Sequence, residues 1–344
     1  MTGYRERRVP FQAGDGFPLN LINVRANRKP ARGPVLLVHG AGVRANIFRA
    51  PVKTTVVDAL IEAGYDVWLE NWRASIEFAP NEWTLDQASR YDHPAAVNTV
   101  LRETGAATMK ALVHCQGSTS FTMSAVAGLV PAVETIVSNA VSLHPVVPGW
   151  SRFKLDVLVP ATRLLTRYLS PSWGLNAPTP IAKAILGLSR LFHRECDNDV
   201  CKLVSFVYGA GFPALWRHEN LSAETHEWLK QEFSYVPLRF HKQMARCVAR
   251  GNLVAAEALP DLPQDFAATP PRTAARFAFL AGEQNRCFLP ESQERSYDYF
   301  NRLKPSFHSL HVFPSYGHLD IFMGNDAARD VFPVILEELG RSTS

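Results

Sequence analysis

Residues 110–120 read KALVHCQGSTS and place a cysteine, Cys115, between a short apolar run and a small-residue segment of helical character. A strand, a tight turn and then a helix is the arrangement that presents a nucleophile at a sheet edge. Small residues flank such a nucleophile at minus two and plus two, because the backbones crowd there. Those positions hold Val113, where a glycine is usual, and Gly117. Reading the turn around Ser118 puts Gln116 at minus two and begins the turn about one helical turn late, so Cys115 is the preferred nucleophile. A thiol so placed attacks an acyl carbonyl and forms a thioester. The oxyanion needs two backbone N–H donors. Gln116 supplies one, and the loop HGAGVRANIF supplies the other, from Ala41 first and Gly42 next.

The base is sought after the last strand. SYGHLDIFMG puts His318 there, last in chain order. The loop after FAFLAG should carry an acid to orient it, but the expected position holds Asn285, with Glu283 as the competing candidate. The two departures support each other. A serine hydroxyl needs a strong base, and in a serine protease exchanging the acid for its amide lowers turnover by about 10⁴. A thiol begins with a pKa of about 8.5 and drops at a helix N-terminus beside an imidazolium, giving a resting thiolate–imidazolium pair in which the thiolate is the counter-charge. The histidine then needs orientation more than a counter-charge, which Asn285 can provide through its side-chain carbonyl. Papain-like enzymes use the same three residue types on another fold.

Elements that position this set are readable along the chain. FQAGDGFPLNLINVR reads as a hairpin about Asp15-Gly16. PVLLVHG is a strand of a sheet covered on both faces, followed by the helical VVDALIEAGY, the strand YDVWLEN and the helix PAAVNTVLRETG. MKALVHC, STSFTMSAVAGL and TIVSNAVSL continue as strand, helix and strand. The alternation predicts a doubly wound, mostly parallel α/β sheet. It stops near Pro148 and resumes at ARFAFLAG and HSLHVFP, each followed by helix-like sequence. The expected organisation is a core of residues 1–147 and 271–344, split by a helical cap or lid of residues 148–270. Trp150, Phe153, Trp173, Phe206, Tyr208, Phe212, Trp216 and Trp228 lie in the cap, with Gly209 and Gly211 as a hinge candidate. An apolar acyl or sterol pocket and the packing of the cap's own core are both open readings of these aromatics.

Composition narrows the function. Apolar residues are 47% and charged residues 20% of the 344-residue chain, so a large core is expected. The formal net charge is +4 with scattered basic residues, which argues against nucleic acid; the run RERR reads as a solvated tail. No apolar leader is visible, and residues 122–143 read as helix, turn and strand rather than a membrane span. The five cysteines (115, 196, 201, 247 and 287) are therefore expected as thiols in the cytoplasm. Cys196 and Cys201 can pair or hold a metal with His193 nearby, but no fourth ligand is evident, so no metal is expected and they read as structural. HGAG is not G-x-G-x-x-G, and no cofactor is expected.

HGAGVRANIFRAP, GYDVWLENWRAS, WTLDQASRYDHPAAVNTVLRETG and YGHLDIFMG resemble, in order, segments of the acid-lipase-like branch of the α/β-hydrolase superfamily. HCQGS, GEQNRCFLPE and HRECDNDVC resemble further a bacterial group found beside or fused to flavin oxidoreductases of the cholesterol-oxidase (GMC) type. The resemblance implies the α/β-hydrolase fold, with His39-Gly40 in the oxyanion loop, Cys115 at the serine position, Asn285 at the acid position and His318 as base. It also implies a lipid or bulky hydrophobic ester as substrate and a GMC-type oxidoreductase as partner. Asp86, Tyr91, Asp92 and Arg73, within the resembling stretches, read as capping and loop-bracing residues. The expected activity is hydrolysis of a hydrophobic ester or thioester through a Cys-His-Asn set. Acyl transfer from the same thioester, and a non-catalytic hydrolase-fold partner of an oxidoreductase, are the alternatives.

Overall fold

Eight strands form the central sheet of the computed structural model, which describes residues 3–342. They are β1 (Arg5–Gln12), β2 (Pro18–Arg25), β3 (Pro34–Val38), β4 (Asp66–Asn71), β5 (Met109–His114), β6 (Val133–Asn139), β7 (Arg276–Gly282) and β8 (Ser309–Phe313). Their spatial order is β1-β2-β4-β3-β5-β6-β7-β8. β1 and β2 form the antiparallel hairpin, closed by Gly16 at φ 82°, and every pair from β4 to β8 is parallel. The run RERR is not a tail. It lies within β1, where Arg7 and Arg8 pair with Glu103 and Glu77, so an exposed edge strand accounts for its charge.

The central strands are buried along nearly their whole length, Lys110 apart, because helices cover both faces. These are α1 (Val56–Glu62), α2 (His93–Thr104), α3 (Cys115–Val126), α8 (Glu291–Leu303) and α9 (Phe332–Gly340), the numbers between being used below. Helix α1 begins with a reciprocal Thr55–Asp58 capping box, a device that contributes about 1 kcal/mol. Helix α2 ends at Gly105 with φ 70°, the left-handed stop that its sequence predicts. Between β6 and β7 the chain is mainly helical, with α4 (Pro180–Phe192), α5 (Asp199–Tyr208), α6 (Ala223–Trp228) and α7 (Leu238–Arg250), plus a small antiparallel pair, Tyr168–Leu169 with Val236–Pro237.

Arg73 and Asp92 form a buried, doubly bonded ion pair that also reaches Asp15. Asp86 accepts the Gln243 amide at 2.6 Å and the Ala256 N–H at 3.1 Å, and the Tyr91 carbonyl receives the Gly14 N–H. These four residues brace loops. They do not cap helices, since Asp92 makes no cap hydrogen bond and Thr84 with Gln87 forms the local capping box.

Candidate functional site

Strand β5 ends at His114, and α3 starts at Cys115, whose φ of 55° is the left-handed conformation that ordinary residues avoid. The turn is held by close packing. A Cβ at Gly117 would sit 2.1 Å from the His39 carbonyl oxygen, and one at Gly40 would sit 2.9 Å from the Cys115 Cβ. Gly117→Ala is therefore expected to force β3 and α3 apart, at a cost of about 1–3 kcal/mol read as a lower urea midpoint. An unchanged midpoint would mean that this contact is absent.

The side chains gathered around the sulfur come from three loops. Cys115, His114 and His318 each bring a ligating atom within 4.8 Å of the others. Cys287, His318 and the Gln116 N–H surround the Cys115 sulfur. They hold the Cys115 thiol well below its ordinary range, Cys287 contributing most, while burial opposes them. Cys287 is correspondingly pushed up and keeps its proton. Cys287 was not singled out from the sequence; its place two residues after Asn285, in the same loop, was the available signal. Cys287→Ala is expected to raise the Cys115 pKa and slow its alkylation at pH 6 by roughly tenfold, with little change at pH 9. Equal rates in both proteins at pH 6 would remove Cys287 from the account.

His318 is buried, and its Nε2 has no hydrogen-bond partner within the protein. Its Nδ1 lies 3.0 Å from Asn285 Nδ2. The Asn285 carbonyl oxygen is already taken by the N–H groups of Cys287 (2.9 Å) and Phe288 (3.3 Å). Its amide nitrogen therefore faces the ring, and Nδ1 accepts from it. This corrects the expectation that the Asn285 carbonyl orients the histidine. Glu283 is solvent-exposed and is not the partner of His318. Ser118 is buried and bonds Ser138 at 2.6 Å.

In the oxyanion loop, the Gly42 N–H is bonded to the Ala74 carbonyl, which leaves Ala41 as the loop's candidate donor beside Gln116. Tyr208 Oη donates to the Ala41 carbonyl at 3.0 Å and so ties that loop to α5. His39 bonds the Gly40 carbonyl at 2.7 Å, and burial pushes its pKa down to about 3, so it is neutral. The His114 ring lies tilted against that of His318, 4.6 Å between centroids at 55°, is held by Asn139 at 2.8 Å, and burial lowers its pKa as well. Behind the Cys115 turn, His93 links Glu70 (2.9 Å) to Ser120 (2.7 Å), a buried bridge between β4, α2 and α3.

Above Cys115 opens an apolar cavity whose space, counted out to its mouth, is about 1040 Å³. Leu155, Leu158, Ile185, Phe206, Phe240 and Met244 line it, together with Cys287 and Tyr208. Lys154 turns its ammonium to the Phe206 and Gly209 carbonyls, and burial brings its pKa down to about 8. Of the cap aromatics noted in the sequence, Phe206 and Tyr208 line this cavity, whereas Trp173 and Trp216 are buried in packing and Trp150 stacks on Phe153 at the surface. Gly209 and Gly211 are not an open hinge: a Cβ at either would strike Arg286 atoms at 2.7 Å.

No family model matches the chain. Sterol esterase 2 of Saccharomyces cerevisiae is 28% identical over 160 residues, 39% of this chain and 30% of that protein. The chain spans about a third of the length of the first curated relatives it matches. Human lipase member K is 23% identical over an alignment covering 98% of this chain and 88% of that protein. Among solved structures, a thermophilic esterase from Thermogutta terrifontis superposes with a TM-score of 0.57 at 15% identity, covering 97% of this chain and 98% of that one. Among the described residues no helix is long and apolar enough to cross a membrane.

Proposed function

We propose that this chain, which has the α/β-hydrolase fold, is a carboxylic ester or thioester hydrolase acting on a hydrophobic acyl substrate through Cys115. The observation that carries the reading is a low-pKa sulfur at a strained strand-to-helix turn, on the floor of an apolar cavity and beside His318. The Cys115 thiolate attacks the acyl carbonyl. The Gln116 and Ala41 N–H groups hold the oxyanion, and collapse of the tetrahedral adduct expels the leaving group, protonated from solvent if it is an alkoxide, and leaves a thioester; water adds to that thioester, gives its proton to solvent, and releases the acid and the Cys115 thiolate. Hydrophobic substrate is supported by the cavity lining and by apolar side chains left exposed on the cap, among them Leu164 (88%), Leu165 (64%) and Phe192 (62%).

The direction of the Asn285 amide favours acyl transfer as a second reading. Water must lose a proton to resolve the thioester, and His318 with its proton on Nε2 cannot take it. The other tautomer would set an Nδ1–H against the Asn285 amide hydrogens. A thiolate acceptor needs no base, and a thiolate leaving group needs no acid. Acyl-enzyme should therefore accumulate, with a burst of nitrophenol near one equivalent followed by slow turnover.

The test is intact mass after incubation with a nitrophenyl acyl ester, followed by peptide mapping. An acyl mass on the peptide containing Cys115, released faster by an added thiol than by water, supports the reading. A chain that acquires no acyl mass instead fits the non-catalytic alternative, a hydrolase-fold partner of a GMC-type oxidoreductase.

A further inference from the structure

A second cluster of soft ligands lies in the helical segment between β6 and β7. Cys196 precedes α5 and Cys201 sits in its first turn; His218 lies in the short turn His218–Asn220, and His226 lies in α6. The sulfur or ring-nitrogen atoms of all four lie within 4.8 Å of one another. We propose that Cys196, Cys201, His218 and His226 are the ligands of a structural zinc(II) site.

The distances suit the metal. Bonds of about 2.3 Å to sulfur and about 2.0 Å to nitrogen put the corners of a tetrahedron roughly 3.3–3.8 Å apart. His226 Nε2 is 3.7 Å from Cys196 Sγ, and His218 Nε2 is 3.4 Å from Cys201 Sγ. The two imidazoles meet nearly edge to face, 4.9 Å between centroids at 85°, so both turn the same nitrogen inward without stacking. Two thiolates and two neutral imidazoles carry a charge of −2 that offsets the zinc dication, and all four corners are filled by protein, which makes the site structural rather than catalytic. Binding releases the two thiol protons.

Surrounding groups hold the ligands as an outer layer should. The Asn198 backbone N–H donates to Cys196 Sγ at 3.3 Å, its side-chain oxygen caps the Cys201 N–H at 3.1 Å, and its Nδ2 donates to the His226 carbonyl at 3.1 Å. One residue thus ties the cysteine loop to the histidine helix. His193, the nearest histidine in sequence, stacks on Phe212 at 5.0 Å instead.

The four ligands bracket residues 202–217. That stretch carries Phe206 and Tyr208 of the cavity wall, and Leu215, whose carbonyl accepts the N–H groups of His318 (3.1 Å) and Leu319 (2.7 Å). Metal at this position would fix the cavity wall and the His318 loop in one frame.

The full chain, expressed with zinc in the medium and purified without chelator, is expected to hold about one zinc per molecule by mass spectrometry of the metal. After removal of zinc, cobalt(II) should give the visible bands of a tetrahedral ion and a thiolate charge-transfer band. Cys196→Ser and His226→Ala, both at half-buried positions, should lose most of the metal. Cys115→Ala should keep it, which separates this cluster from the one around His318. Because cobalt is read on the unaltered chain, poor folding of a variant does not remove the test. Zinc below about 0.1 per chain after reconstitution, with no cobalt bands, overturns the proposal. So does zinc retained by a folded Cys196→Ser variant or lost from Cys115→Ala.

Discussion

Asn285→Asp is expected to raise steady-state hydrolysis of nitrophenyl esters by roughly 10²-fold and to abolish the nitrophenol burst. The exchange is isosteric. A carboxylate at residue 285 can accept the Cys287 and Phe288 N–H groups on one oxygen, as Asn285 does now, and the His318 Nδ1–H on the other. The imidazole can then carry its proton on Nδ1, leaving Nε2 free to take one from the water that resolves the thioester. In the present chain that step must turn the amide and break two backbone hydrogen bonds, or set donor against donor. Stopped-flow release of nitrophenol, with circular dichroism to confirm the fold, checks this. A folded variant whose burst and slow phase match the parent would show that the amide direction does not limit turnover.

Exchanging Cys115 tests the proposed nucleophile. Cys115→Ser is expected to lower ester turnover by roughly 10³-fold or more. A serine hydroxyl does not ionise under the influence of Cys287, Gln116 and His318, which together lower the pKa of a thiol. It needs a base, and His318 held by the Asn285 amide has no free electron pair on the facing nitrogen. The double variant Cys115→Ser with Asn285→Asp supplies that pair and is expected to recover at least roughly tenfold over Cys115→Ser alone, so the two changes are not additive. Should Cys115→Ser keep more than about a tenth of the parent rate, the nucleophile lies elsewhere.

Much of the architecture was legible locally. Apolar runs such as PVLLV and RFAFLAG, each fully buried as a strand, and helices stopped by Gly105, are set by residues adjacent in sequence. The RERR run was misread because charge pattern alone does not distinguish a tail from an edge strand; the distinction lies in the β2 partner and in Glu77 and Glu103. The cap aromatics were ambiguous for a similar reason. A helix buries one side against its own domain and turns another to the cavity, and which side holds Phe206 or Trp216 depends on how the helices cross.

The sequence by itself determined the doubly wound sheet and the order of its elements, and it marked Cys115, Asn285 and His318, because strand period, turn chemistry and chain order are local properties. Tertiary structure alone decided which end of the Asn285 amide meets His318, that Cys287 stands beside the Cys115 sulfur, and that His218 and His226 meet Cys196 and Cys201. Those outcomes depend on hydrogen bonds and burial between residues far apart in the chain, and the free energy of an ionised or hydrogen-bonded group follows from its neighbours in space.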